Sequence, residues 1–583
     1  MSLRDDGTAM PRSLLGIPAN VFRFGVVGVT VAVVFAALNA FFAKVCGLGP
    51  QLSFLAAYPP ALCLHFLLNK VWTFGDRART SHHQVGEYLY SVLVTFLIQW
   101  PAFEILHGLF GLRGWIAALG ANLLQMTASY LLLRTRVFAG REPAQGENPW
   151  TRIAVVLAAV GGMALIYWTC MAGWGAPGLN RTEHDYYNDL VHGFRKGSLA
   201  MDMPVPEALK KSPNPWDPAV RPPGVAAHDV SYYNGKYYLY FGVVPAVLFF
   251  WPFRALTGYD LPFTIATTSY LCAGFLVAAW LWLRILRERF ASSGAALRIC
   301  GVLVLGLAGG QLGLARRNSI WEMPISAGTF YVACLSAAVY LAITGRRRLL
   351  SLAAAGLCLG LAIGCRPTLA AAGPALGFVV LWSAWEGRRG RPFLRSLAAP
   401  LAASAAPFAA VFGSLLEYNY LRFGKFTEFG LNFQMTGNYE AKAEHFQLRF
   451  LPYNFRVYFI KPPQWGRYFP FFHPFSWIQQ PKGYYGTEFV YGAFVVCPVL
   501  LGIAAALVLA WRRRASAEGA TAAFFLLAAA GISGMLCCFN TAASRYEADF
   551  LPMCLWLALL GWAWLSSSPG VRTAGAWAVS VLS

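Results

Sequence analysis

The first long apolar run lies at residues 22–45, FRFGVVGVTVAVVFAALNAFFAKV, and contains no acidic residue. An apolar helix of about 20 residues is long enough to cross a bilayer. Similar runs recur along all 583 residues, of which 57% are hydrophobic and 13% charged. Soluble domains average about 25% charged residues. Together with a mean hydropathy of +0.49, this composition excludes a disordered chain, a secreted disulfide scaffold and an ordinary cytosolic enzyme.

We therefore predict an all-α polytopic membrane protein with about 14 transmembrane helices. The predicted spans lie near residues 22–45, 51–70, 89–110, 114–133, 152–172, 262–285, 296–314, 324–344, 349–365, 368–385, 396–416, 489–511, 519–538 and 549–566.

Basic residues orient these spans. The formal net charge is +21, and Lys and Arg concentrate in the cytoplasmic loops of membrane proteins. The clusters that follow successive spans, such as 346–348 and 512–514, share one face only if the apolar stretch 239–256 does not cross completely. Pro245 and Pro252 favour a broken helix there. We predict a re-entrant or interfacial segment.

This orientation places two long polar loops, 173–238 and 417–488, on the external side. A short polar linker, 141–150, divides the chain. The predicted organisation is a cytoplasmic tail at 1–19, a four-helix membrane domain at 20–140, the linker, and a larger membrane domain at 151–583 that carries both external loops.

A weak internal repeat runs through the four-helix domain. Residues 66–74 align with residues 130–138 at a constant offset of 64, and paired two-span halves are typical of small transporters. Residues 20–138 resemble the GtrA-like family, through FRFGVVG at 22–28 and NKVWTF at 69–74. The resemblance implies a module that moves polyprenyl-phosphate-linked sugars across the membrane.

Five residues of this domain are functional candidates: Asn69, Lys70, Trp72, Glu104 and Arg134. The predicted spans place Glu104 inside the membrane, where a carboxylate is costly and is a functional candidate by default. The alternative for Lys70, Trp72 and Arg134 is that they anchor helix ends at the membrane interface.

Residues 150–583 resemble the C-type (GT-C) glycosyltransferase superfamily, which includes protein mannosyltransferases and aminoarabinose transferases. The resemblance rests on a first span followed by a long external loop with acidic residues, and on a proline-broken apolar segment after it. The matching stretches are EHDYYND at 183–189, HDVSYYNGKYY at 228–238, CRPT at 365–368, YNYLRFG at 418–424 and RYEADF at 545–550. The resemblance to the GT-C superfamily implies transfer of a sugar from a polyprenyl-phosphate donor at the external face.

Such a transfer needs a base for the acceptor hydroxyl. Asp185 is the first candidate, because the superfamily places its catalytic acid shortly after a span, and Asp229 and Asp189 compete with it. The alternative is that Asp185 caps the amphipathic helix that follows. A single carboxylate base favours inversion at the anomeric carbon.

Cations must also stabilise the departing phosphate, and arginine can donate two bonds to it at once. The candidates for donor phosphate or substrate binding lie at external span ends and in the second loop, and are Arg317, Glu322, Arg366, Lys425, Lys461, Arg545 and Asp549. The alternatives are that the arginines snorkel, that Arg545 pairs with Asp549 or Glu547, and that Glu322 caps its helix.

The sequence thus predicts a glycosyltransferase of the cytoplasmic (inner) membrane, with its site facing the periplasm or exterior, fused to a module that flips or supplies the lipid-linked sugar. The expected partners are the bilayer, the polyprenyl-phosphate-linked sugar and a lipid, polysaccharide or protein acceptor, but no nucleic acid. No cofactor is predicted; a divalent metal beside His184 and Asp185 is a weaker alternative, because no second spaced ligand follows. The competing hypothesis is a non-catalytic transporter or assembly protein for lipid-linked sugars or polysaccharide.

Overall fold

A computed structural model describes residues 19–104, 106–107, 112–138, 148–173, 185–223, 227–345, 347–388, 390–467, 472–473 and 479–567. Within these residues, 11 helices are long and apolar enough to cross a membrane. The predicted class, an all-α polytopic membrane protein, is confirmed. The predicted tail, most of the linker and His184 lie outside the described residues.

The described helices follow one another in a single chain of mostly apolar segments. They are α1 Ala19–Lys44, α2 Pro50–Leu68, α3 His82–Glu104, α4 Gly114–Leu132, α5 Pro149–Met171, α6 Tyr186–Arg195, α7 Glu207–Lys210, α8 Trp251–Thr257, α9 Phe263–Arg289, α10 Ala295–Leu307, α11 Gln311–Arg317, α12 Glu322–Thr344, α13 Arg348–Cys365, α14 Gly373–Gly387, α15 Phe393–Phe423, α16 Leu451–Phe455, α17 Ala493–Val496, α18 Gly502–Arg512, α19 Ala517–Cys537 and α20 Ser544–Ser567.

Short strands occur only between helices in the described residues. They are β1 Val230–Tyr233, β2 Lys236–Leu239, β3 Gln434–Met435, β4 Gln464–Trp465, β5 Phe472–His473, β6 Gly486–Glu488 and β7 Thr541–Ala543. The chain forms two compact units, residues 1–156 and 157–583.

The internal repeat of the first unit is visible in its backbone. α2 continues into a π-helical turn at Asn69–Thr73, and α4 continues into a second one at Leu133–Val137. The two turns are separated by the same 64 residues as the repeated motif. Each is closed by a phenylalanine, Phe74 or Phe138, whose N–H donates to the first carbonyl of its turn, and the two rings stack 4.9 Å apart. Single π turns often mark functional positions in helices.

The second unit is built around α12 and α20, whose apolar windows are the most buried of its spans. Glycines allow its helices to approach closely. A Cβ on Gly356 of α13 would lie 1.9 Å from the carbonyl oxygen of Ser404 in α15, and a Cβ on Gly561 of α20 would lie 2.0 Å from that of Gly502 in α18. Small residues at helix contacts are the usual route to tight packing in membranes.

The two long loops of the second unit are joined by β-structure. β1 and β2 form an antiparallel hairpin in the first loop, and β3 from the second loop adds antiparallel to β1. β6, at the end of the second loop, pairs in parallel with β7, which directly precedes α20. The first pairing joins the two loops to each other, and the second joins the end of the second loop to the start of α20.

The structure interrupts the predicted span 489–511 and supports one predicted break. The stretch 489–511 is not one continuous helix, because α17 ends at Val496, a 3₁₀ turn begins at Pro498, and α18 begins only at Gly502. Glu104 is exposed and is the last α-helical residue of α3, but part of the remainder of the predicted span 89–110 lies outside the described residues, so the mid-span position of Glu104 stays a prediction. The short apolar helix Ala246–Thr257 is about 18 Å long, shorter than the bilayer core of about 30 Å. It agrees with an interfacial or re-entrant segment.

Candidate functional site

Charged side chains from both loops and from several helix ends meet in one polar cluster of the second unit. Six of the predicted site residues belong to it: Asp229, Arg317, Glu322, Arg366, Arg545 and Asp549. They are contributed by the β1 hairpin, the end of α11, the start of α12, the end of α13 and the first turns of α20. We call this set the polar cluster.

Asp229 stands directly before β1 in an uncommon conformation. Its φ of 56° is left-handed, a region that a non-glycine residue seldom occupies. Its N–H donates to the Met435 carbonyl at 2.7 Å. Its carboxylate accepts from the Trp321 indole at 2.6 Å and from the Gln434 amide at 2.9 Å. The side chain is 14% exposed, so it is firmly positioned but still accessible.

Arg317, at the end of α11, lies between two carboxylates. Its Nε is 3.2 Å from Glu322 Oε1, and its Nη1 is 3.5 Å from Glu488 Oε2. Glu322 is buried and also accepts from the Ser319 hydroxyl. Glu488, at the end of β6, pairs at the same time with Arg545. Arg317 also lies 5.8 Å from the ring of Trp321, which connects this chain of ion pairs to Asp229.

Arg366 and Asp549 form a more buried pair. Arg366 Nη2 lies 2.8 Å and Nε 3.3 Å from Asp549 Oδ2, and the Thr368 hydroxyl donates to the same oxygen at 3.0 Å. The guanidinium groups of Arg366 and Arg545 lie 5.1 and 5.2 Å from the ring centre of Tyr546. The predicted alternative pairing of Arg545 with Asp549 is therefore replaced by pairing of Asp549 with Arg366.

A second carboxyl group, Glu440, accompanies Asp229. Burial, and then the negative charge of Asp229, raises the pKa of Glu440 to about 7. Its side chain lies 3.6 Å from His445 Nδ1. Burial and the neighbouring acidic groups of Tyr546, Asp229 and Glu440 raise the pKa of Tyr240 above its ordinary value of 10, so this hydroxyl remains protonated at neutral pH.

Asp185 and Asp189 lie at and after the start of α6. Asp185 is 4% exposed, and its Oδ1 accepts from the Asn188 amide at 2.8 Å. Asn188 also exchanges hydrogen bonds with the backbone of Leu261. The next residue, Tyr186, donates from its hydroxyl to the His228 carbonyl at 2.8 Å, so the start of α6 is tied to the residue before Asp229.

The two predicted lysines differ in their surroundings. Lys425 is exposed just after α15. Lys461 follows the π turn after α16, is 6% exposed, and no carboxylate of the described residues pairs with it. Burial lowers the pKa of Lys461. A buried cation of this kind suits an anionic ligand, although no contact in the described residues joins it to the polar cluster.

In the first unit, Lys70 lies buried in the first π turn and donates to Asp76 at 2.6 Å and to Gln84 at 2.9 Å. The amide of Gln84 reaches the Val137 carbonyl in the second π turn at 3.2 Å. Asn69 donates to the His65 carbonyl at 2.9 Å. The structure thus places Lys70 at the junction of the two repeats through Gln84, whereas Asn69 bonds within its own helix.

The other candidates of the first unit, Trp72 and Arg134, are exposed on the π turns, as interfacial anchors would be. The sequence reasoning missed Glu87, a buried carboxylate early in α3 that pairs with Arg152. Its signal was present, since Glu87 lies only two residues before the span predicted to begin at residue 89.

The sequence reasoning also missed five neighbours of the polar cluster, namely Trp321, Gln434, Glu440, Glu488 and Tyr546. Tyr546 lies in the motif RYEADF directly after Arg545, and Trp321 lies directly before Glu322, so both are sequence neighbours of predicted site residues. Glu440 and Glu488 had no comparable signal, because loop residues without periodicity give no indication of what they face. Among the described residues, no group of three or more His, Cys, Asp or Glu side chains could hold a metal ion.

Comparisons with known proteins support the assignment for the first unit. The searches of curated proteins and of solved structures each found no significant match. One family description does match, over a segment that covers the four helices and both π turns of the first unit: residues 23–138 are similar to the GtrA/DPMS transmembrane domain.

Proposed function

We propose that this chain is a membrane glycosyltransferase that moves a sugar from a polyprenyl-phosphate-linked donor to an envelope acceptor. The observation that carries the proposal is the polar cluster, where a positioned carboxylate, Asp229, lies in one network with Arg317 and Arg545, from parts of the chain that are distant in sequence. A base and a group of guanidinium donors are what the transfer needs.

In the proposed step, the oxygen of the acceptor hydroxyl attacks the anomeric carbon of the donor sugar. The bond between that carbon and the phosphate oxygen breaks, and its electron pair leaves with polyprenyl phosphate. The hydroxyl proton passes to the Asp229 carboxylate. Guanidinium groups of the cluster stabilise the charge that develops on the phosphate. One attack by one base inverts the anomeric carbon.

Asp229 is preferred to Asp185 because of its accessibility and partners. Trp321 and Gln434 donate to its two oxygens and hold it in place. Asp185 is more buried and is bonded to Asn188, which fixes the start of α6 to the backbone at Leu261. The helix-start role fits Asp185 better in this geometry. Asp185 and Asp189 stay competitors that the experiment below separates.

For the first unit we propose the supply or flipping of the lipid-linked sugar. The similarity of residues 23–138 to the GtrA/DPMS transmembrane domain supports this role. A donor delivered by one part of a chain meets the other part at a high effective concentration. The proposed location is the cytoplasmic membrane, with the polar cluster on the external side, as the distribution of arginines predicts.

The test is transfer of labelled sugar by the purified full-length protein in lipid nanodiscs. Polyprenyl-phosphate donors with different sugars are offered together with lipid and envelope extracts as acceptors. Asp229→Asn, Asp185→Asn and Asp189→Asn are compared with the wild type. Asp217→Asn, in the same loop, is the matched control.

We expect Asp229→Asn to lower transfer by about 100-fold or more while donor binding is retained, and Asp217→Asn to have no effect. Loss of transfer only in Asp185→Asn or Asp189→Asn would move the base to that residue. If no donor supports transfer but donor-dependent lipid movement occurs in vesicles, the enzyme proposal is wrong and a transporter replaces it.

A further inference from the structure

The three arginines of the polar cluster pair with carboxylates that differ in their exposure to solvent. Asp549, the partner of Arg366, is only 1% exposed. Glu488, which Arg317 and Arg545 share, is 48% exposed. A buried partner is costly to remove because it leaves an uncompensated charge, whereas an exposed one is easily replaced by another anion or by water.

The carboxylate of Glu488 is held by two arginines. Its Oε2 pairs with Nη1 of Arg545 and lies 3.5 Å from Nη1 of Arg317, while its Oε1 accepts from Nη2 of Arg545 at 3.4 Å. Both of its oxygens are therefore bound, by two guanidinium groups from different helices. Carboxylate and phosphate oxygens are recognised by arginine through the same forked geometry.

The local net charge changes from zero to positive if Glu488 leaves. Arg317, Arg545, Glu322 and Glu488 together carry no net charge. Without Glu488, the two arginines face the single buried carboxylate of Glu322 and carry a net charge of +1. The site is neutral while Glu488 is in place and attracts anions when it is displaced.

The backbone around Glu488 also allows a displacement. Glu488 is the last residue of β6, so the chain leaves the strand immediately after it. The next residue, Phe489, has a φ of 36°, which is strained for an aromatic residue, and its side chain is exposed. Strain of this kind at a strand end is often stored where a segment changes conformation.

We propose that Arg317 and Arg545 form the binding site for a phosphate group, and that Glu488 occupies this site until the phosphate displaces it. This deepens the proposed function and rests on it for the choice of a lipid-linked phosphate. Arg366 then has a different task, which is to hold α13 against α20 through Asp549. The same anion chemistry fits a lipid phosphate and free phosphate, so the experiment includes both.

The experiment measures binding by the full-length protein in nanodiscs of neutral lipid. The ligands are polyprenyl phosphate, inorganic phosphate and uncharged polyprenol. The test variants are Glu488→Gln, Arg545→Gln and Arg317→Gln. Glu444→Gln is the matched control, because Glu444 is an exposed acid of the same loop that pairs with a single exposed arginine, Arg449.

We expect Glu488→Gln to tighten binding of polyprenyl phosphate about tenfold, since it removes a competing charge next to the ligand. Arg545→Gln and Arg317→Gln should each weaken it by a similar factor, while Glu444→Gln and binding of polyprenol stay unchanged. Tighter binding of polyprenyl phosphate alone assigns the site to the lipid, and tighter binding of both phosphates assigns it to phosphate groups in general.

Unchanged or weaker binding of polyprenyl phosphate in Glu488→Gln overturns the proposal, as does an equal gain for polyprenol. Glu488 is exposed, so this variant does not depend on a buried contact to fold. The result is independent of the transfer assay. A binding gain without any transfer would refute the glycosyltransferase and keep the phosphate site. Transfer without a binding gain would keep the glycosyltransferase and refute the phosphate site.

Discussion

Replacing Asp549 with alanine should destabilise the second unit far more than any change at Glu488. The change removes the acceptor of three bonds, from Arg366 Nη2 at 2.8 Å, Arg366 Nε at 3.3 Å and Thr368 at 3.0 Å. It leaves the Arg366 guanidinium without its buried counter-charge. Loss of one partner of a buried pair costs about 3–5 kcal/mol. Glu488→Ala breaks exposed pairs and should cost about 0–1 kcal/mol.

The assay is unfolding of the purified protein by denaturant in micelles, followed by tryptophan fluorescence and circular dichroism, at two salt concentrations. The cost of Asp549→Ala should not depend on salt, because buried charges are little screened. The double variant Arg366→Met with Asp549→Leu should be more stable than Asp549→Ala, since it removes both charges. An Asp549→Ala cost below about 1 kcal/mol, or a double variant no better than Asp549→Ala, would refute the reasoning.

Three further predictions concern other parts of the chain. Burial and then the charge of Asp229 raise the pKa of Glu440 to about 7, above its value of 4.5 in an unfolded chain, so the stability that protonated Glu440 contributes is lost as pH rises through 7. Glu440→Gln should therefore be more stable than the wild type at pH 8.5 but not at pH 4. The measurement is the midpoint of unfolding at both pH values. Burial raises the pKa of Asp76, but hydrogen bonds from Lys70 and Gln84 outweigh this effect and hold the pKa below its ordinary value of 3.8. The stability that the Asp76 carboxylate contributes is therefore present above pH 3.8 and is lost as pH falls. Asp76→Asn should cost about 1–3 kcal/mol of unfolding free energy at pH 7 and much less at pH 3, and an equal cost at both would contradict the ion pair. Gly193→Ala would place its Cβ 1.9 Å from a backbone carbonyl and should cost about 1–3 kcal/mol, read as a lower thermal midpoint.

Most spans could be predicted from sequence because a run of about 20 apolar residues is stable as a helix in lipid and not in water. α12 was expected at 324–344 and is found at Glu322–Thr344. The break at Pro498 was missed because the residues around it are apolar on both sides, and hydropathy does not register a missing backbone donor. The repeat was visible as a sequence offset, but only the backbone showed that it carries two π turns.

The candidate site was predictable where a charge stood alone at the end of an apolar run. Arg366, Arg545 and Asp549 stood out for this reason, because a charge beside a span needs a partner or a task. Their pairing could not be predicted: Asp549 has Arg545 near it in sequence but pairs with Arg366, 183 residues away. Glu440 and Glu488 lie in loops where neither spacing nor hydropathy indicates a neighbour.

The sequence by itself determined that this protein lies in a membrane, where most of its helices are, and which charged residues stand beside apolar spans. These features depend on local composition. The tertiary structure decided which of those charges meet. β3 brings the second loop onto β1 and places Gln434 on Asp229, and β6 places Glu488 between Arg317 and Arg545. Strand pairing between distant loops depends on how the helices beneath them pack, and no local pattern of residues contains that information.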